Sequence, residues 1–149
     1  MGFFKELGNL TKSLSGNLDA RVDQGLWFLK NGQMENAMNC FSSASLKGHP
    51  NATRLWGEIL IDQGVSHIDT LGGLMKLKKA ITIGSTLAEQ SYLNYRNTIK
   101  VKELFALDDE SLADFRSAVM SQPYKQIDDL DQRMLDKVIE EIKISKVII

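Results

Sequence analysis

The sequence predicts an all-α protein, a short α-solenoid of stacked helix pairs. Two observations carry the expectation. Apolar residues recur three and four positions apart almost throughout, and no convincing alternating stretch reads as a strand. Small residues also repeat in register, as far as one helix–turn–helix lies from the next. With 149 residues, 43% hydrophobic and 25% charged, the chain suits one soluble globular domain.

The elements follow in order. Phe3, Leu7, Leu10 and Leu14 form one stripe, so residues 1–16 read as an amphipathic helix. Asp19 is placed to cap a second helix with Val22, Leu26 and Leu29, stopped at Asn31–Gly32. A third, about Met34–Lys47, carries Ala37, Cys40, Phe41 and Ala44, with Gly48 at the left-handed C-cap position. Pro50 starts a fourth, which ends at Gly64. Residues 65–73 read as a loop before a fifth helix that ends at Gly84. A sixth is expected from near Ser85 past Lys100. Asp108, Asp109 and Glu110 mark the start of a seventh, which ends before Pro123. Ile127, Leu130, Met134, Val138 and Ile142 lie on the last.

Ala20, Gly25, Phe28 and Gly32 match Ala52, Gly57, Leu60 and Gly64 at a spacing of 32. Phe41, Ala44, Gly48 and Ala52 match Leu77, Ala80, Gly84 and Ala88 at 36. The four extra residues fall after Gly64, where an insertion costs little. Two units and the start of a third result. One helix pair cannot bury its apolar face alone, so such units stack.

This pattern resembles the Sel-one-like repeat of the tetratricopeptide superfamily over about residues 19–98. The second unit carries the resemblance best, with Ala52, Trp56–Gly57, Leu60, Gly64–Val65, Asp69, Leu77, Ala80 and Gly84. Gln24 departs from the usual leucine, Leu60 and Leu77 from tyrosines, and Gly73 from alanine. Leu93 stands where the third unit should have glycine. The resemblance implies a single domain of repeats over 19–98, closed by residues 1–16 and by helices over 99–149. It implies a non-catalytic scaffold or adaptor that binds another protein or peptide. A small cognate-specific inhibitor, immunity protein or chaperone is the alternative. Mapped by resemblance, the concave face presents Arg54, Glu58, Asp62, Gln90, Asn94 and Asn97 as a polar groove. The first unit's equivalents, Asp19, Val22, Leu26, Leu29 and Lys30, are mostly apolar, which suggests that the N-terminal helix or a partner covers them.

Other functions find little support. The formal charge of −1 lacks the basic excess of a nucleic-acid binder. Residues 1–100 hold eleven Lys/Arg and eight Asp/Glu, residues 101–149 seven and eleven, so the acidic end reads as a solvated helix face. One cysteine and two histidines are too few for a structural zinc site, and no nucleotide-binding fingerprint occurs. Neither metal nor cofactor is expected. Ser66, His67 and Asp69 crowd too closely for a catalytic triad, whose base lies between its two partners, and no enzyme activity is expected. Cys40 reads as a packed thiol, and Trp56 as core. Trp27 is either packed on the first helix or an exposed anchor. Asp128, Asp129 and Asp131 read as a charged face. Lys76, Lys78 and Lys79 form the one basic cluster and read as solvated. The N-terminal stripe has Lys5 and Lys12 against Glu6, too little charge for membrane binding, so a capping role is favoured. No secretory apolar core is seen there, and a reducing cytoplasm is the expected setting.

Overall fold

The computed structural model describes residues 17–122 and 126–147, and among these the chain is helical with no strand. The helices are α1 (Leu18–Lys30), α2 (Met34–Leu46), α3 (Pro50–Gln63), α4 (His67–Thr82), α5 (Ala88–Arg96), α6 (Ile99–Phe105), α7 (Asp109–Met120) and α8 (Asp129–Val147). The N-terminal stripe lies outside the described residues. The final turn of α8 carries the chain on in helix past Ser145.

Caps set the boundaries. α1 begins on Asn17, not Asp19: the Asn17 Oδ1 accepts the Ala20 N–H at 3.0 Å. The same position one unit on is His49, whose Nδ1 accepts the Ala52 N–H at 3.1 Å. Asp19 bonds across the units to the His49 Nε2 at 2.6 Å. Asp108 caps α7 by accepting the Ser111 N–H at 2.7 Å, a bond that holds its exposed carboxyl below the usual range. Gly48 and Gly84 follow α2 and α4 in the left-handed region at φ +88° and +110°, which a side chain tolerates poorly.

Two boundaries differ from the sequence reading. α4 starts at His67, so most of the expected 65–73 loop is helix; Ser66 caps it by accepting the Asp69 N–H at 3.4 Å. The sixth helix expected from near Ser85 past Lys100 begins only at Ala88 and divides at Asn97–Thr98 into α5 and α6. There the Asn97 amide donates to the Leu93 carbonyl and the Thr98 hydroxyl to that of Tyr95, bonds that compete with helix continuation.

Neighbouring helices pack in chain order from α1 to α5, and α6, α7 and α8 all pack against α4. One apolar cluster joins Val22, Phe41, Trp56 and Leu60 from α1–α3; a second joins Ile61, Leu74, Leu104, Leu112 and Leu135 from α3–α8. Gly25 and Gly57 both lie at close helix contacts. A Cβ on Gly25 would meet the Phe41 ring at 2.5 Å. A Cβ on Gly57 would meet the Gly73 carbonyl at 2.8 Å and Leu77 at 3.1 Å. Gly73, reciprocally, lies under Ile61 and the Gly57 carbonyl. Two helical glycines cost about 1 kcal/mol each in chain entropy, which this close crossing offsets through packing.

Gly57→Leu is therefore expected to lower stability by at least about 1–3 kcal/mol, because backbone rather than a mobile side chain blocks the space. Thermal denaturation followed by circular dichroism checks this; an unchanged midpoint would reject the crossing.

Candidate functional site

The six residues expected to line a groove fall on two helices that pack side by side. Arg54, Glu58 and Asp62 descend α3 at four-residue steps. Gln90 and Asn94 do the same on α5, and Asn97 is its C-cap. Arg54 is held on its own helix, donating to Asn51 Oδ1 from Nε at 2.9 Å and Nη2 at 2.8 Å, and pairing with Glu58. Glu58 also accepts from the Ser91 hydroxyl at 3.4 Å, and Asp62 from the Tyr95 hydroxyl at 2.8 Å. The carboxylates of α3 thus reach α5 through Ser91 and Tyr95, which the sequence reading did not include. Burial and the Asp62 bond together raise the Tyr95 phenol above its usual range.

Gln90 donates to Asn94 at 2.9 Å, and both are exposed. The outer amides are thus free to turn toward a ligand, whereas Arg54 would first have to leave its bonds. Asn97 faces Arg96, Lys102 and Phe105 at the far end of α5, so it borders a different depression from the other five. Lys100 closes the lower end of the face. Its ammonium donates to the Ile61 and Gly64 carbonyls at 2.6 and 2.7 Å, where a cation favours a helix C-terminus.

On the first unit, Val22 is buried, Leu29 half-buried and Leu26 39% exposed. Trp27 is half-buried, its ring edge-on to Phe28 at 5.4 Å. Trp56 is 2% exposed, as expected of core.

The lysines are not solvated. Lys76 is wholly buried, its ammonium 3.1 Å from Asp131 Oδ1 and 4.1 Å from the centre of the Trp56 ring. Lys79, also buried, reaches Asp131 at 3.2 Å and Asp128 at 2.8 Å. Asp128 in turn accepts the Asp131 N–H at 2.7 Å, a capping turn at the start of α8. Lys78 pairs with Glu141, which accepts the Tyr92 hydroxyl at 2.6 Å. Two of the three expected surface acids therefore dock α8 onto α4: Asp131 is buried, whereas Asp128 makes its contact from an exposed position, and Asp129 is exposed and takes no part in the junction. Burial lowers the Lys76 pKa against the pull of Asp131. Burial pushes the Asp128 carboxyl up, but the Lys79 ammonium and the Asp131 bonds outweigh it and hold it at about 2. The signal in the sequence is a matching spacing: Lys76 and Lys79, like Asp128 and Asp131, lie three apart.

Ser66, His67 and Asp69 form the capping turn of α4. The His67 ring packs edge-on against Phe115, 5.1 Å between centres, rather than between the other two. Cys40 is buried, its Sγ 3.7 Å from Gln24 Oε1. Among the described residues no cluster of three metal-ligating side chains occurs, and no helix is long and apolar enough to cross a membrane.

No family model, no curated protein and no solved structure matches the chain.

Asp131→Ala leaves Lys76 buried without a counter-charge and is expected to cost about 3–5 kcal/mol, whereas Lys76→Met with Asp131→Leu should recover most of it. Urea denaturation of the three proteins checks the order. Acid should weaken the same junction. Asp128 has a folded pKa of about 2 against an ordinary 3.8, so its stabilisation is full above about pH 4 and is lost as pH falls toward about 2. Asp128→Asn should flatten the midpoint–pH curve in that window.

Proposed function

We propose that the chain is a non-catalytic protein-binding scaffold or adaptor, a short Sel-one-like, tetratricopeptide-type solenoid. It binds a partner protein or peptide through Arg54, Glu58, Asp62, Gln90, Asn94 and Asn97. The observation that supports this most is the continuous polar face of α3 and α5, where Glu58–Ser91 and Asp62–Tyr95 bonds hold the two helices in register. Such bonds pre-organise the surface, which lowers the ordering cost of binding. An exposed row of amides, Gln90 and Asn94, offers both donors and acceptors, as the backbone of an extended segment requires. A polar face of this kind suits a peptide or loop better than a small apolar ligand.

Affinity capture from the native host, with quantitative comparison of variants, tests the reading. Asn94→Ala and Arg54→Glu are each expected to weaken the captured partner's binding. Asn94 is exposed, so its replacement should change stability by no more than about 0.5 kcal/mol. A partner retained equally by both variants would move the interaction off this face.

A further inference from the structure

The third unit is incomplete in a particular place. In the first unit, Gly25 on α1 is covered by Phe41 and Cys40 of α2; in the second, Gly57 on α3 is covered by Gly73 and Leu77 of α4. The equivalent residue on α5, another 36 positions on, is Leu93, and it is 46% exposed. Arg96 takes the place of the buried Leu60. The inner face of α5 is satisfied, with Ala88 and Tyr92 buried. Its outer face, which a second helix of the pair would cover, borders the seven-residue α6 among the described residues.

Between the two lies a depression of about 500 Å³, lined among the described residues by Leu93, Arg96, Asn97, Lys102 and Phe105. Its floor is apolar, and two cations flank it. The Arg96 guanidinium lies over the Phe105 ring at 5.3 Å, and Lys102 is exposed. Among the described residues neither cation forms an ion pair; Glu141, whose carboxylate the Arg96 charge also favours, is engaged by Lys78 and Tyr92.

We propose that this depression docks an acidic amphipathic helix of another protein, lying where the second helix of the third unit would run. Its apolar side chains, three and four apart, rest on Leu93 and Phe105. Its carboxylates face Arg96 and Lys102, and the Asn97 amide is available at the rim. Leu93 in the glycine position keeps this helix farther from α5 than α4 is from α3, so a small residue is required opposite it. The site rests on the repeat reading proposed above and shares Asn97 with the surface proposed there, but none of Arg54, Glu58, Asp62, Gln90 and Asn94 lines it, and it does not depend on those five binding anything.

The full chain can be titrated with a labelled peptide of about fourteen residues, roughly four helical turns, built from glutamate, alanine and helically spaced leucine. Binding is read by fluorescence anisotropy and by amide shifts. The expected result is saturable binding that weakens with salt and shifts Leu93, Arg96, Asn97 and Lys102. Arg96→Glu with Lys102→Glu should weaken it about tenfold and transfer preference to the same peptide with lysine for glutamate. Because Arg96 packs on Phe105, Lys102→Glu alone is the second variant; being exposed, it should fold normally and still weaken binding. Arg54→Glu should leave the affinity unchanged. No binding below about 1 mM, equal binding of the lysine peptide, or shifts confined to other helices would overturn the proposal. So would self-association of the protein alone that the charge reversal abolishes, which would give the face to a second copy.

Discussion

The structure turns on an ammonium–carboxylate contact inside its core. Lys76 and Asp131 are both fully buried, and Lys79 and Asp128 complete the cluster. Desolvating such ions costs several kcal/mol each, and the cost is recovered only with good geometry and further bonds. Here each partner has more than one: Lys76 has the Trp56 ring as well, and Asp131 accepts from two lysines and the Asp128 N–H. The gain of such an arrangement is directional. An apolar α4 could receive α8 in several registers, whereas the two lysines accept two aspartates at one register only.

That junction explains why α4 is unlike the other helices. Thr70 to Leu77 are buried without interruption, so α4 has no solvent stripe along its middle. It packs on α3 and α5 and also on α6, α7 and α8. α4 runs to 16 residues against 13 for α2, and its first turn carries His67 to Phe115 of α7.

What the sequence made legible was local or repeated. Helical spacing, the glycine C-caps at 48 and 84, and the acidic start of α7 all depend on neighbours in the chain. The Gly25 and Gly57 crossings were legible because the same small residue recurs at one spacing. The start of α4 was hidden by Gly72 and Gly73, which argue against helix by propensity; Gly73 is helical there because Ile61 and the Gly57 carbonyl leave no room for a side chain. The fate of the lysines was hidden for another reason: their partners lie 49 to 63 residues away, too far for a local pattern to pair them. Of the polar face, the placing of Arg54, Glu58 and Asp62 on α3 came from the resemblance, which said nothing of the Arg54–Glu58 pair. Ser91 and Tyr95 did not come from it, since their role comes from how α5 lies on α3.

The distance between Lys76 and Asp131 also sets an order in time. While the chain is being made, α1 to α4 can pair as they emerge, each with the helix just before it. Asp131 follows Lys76 by 55 residues, several seconds at about 5–20 residues per second. Through that interval Leu71, Leu74 and Met75 of α4 lack the apolar residues that α8 adds to their cluster, and such uncovered surface is the kind on which nascent chains aggregate. α4 also carries two ammonium groups, which water solvates well and which repel a second copy of the same face. The charges that lock the finished junction thus shield it before its partner exists.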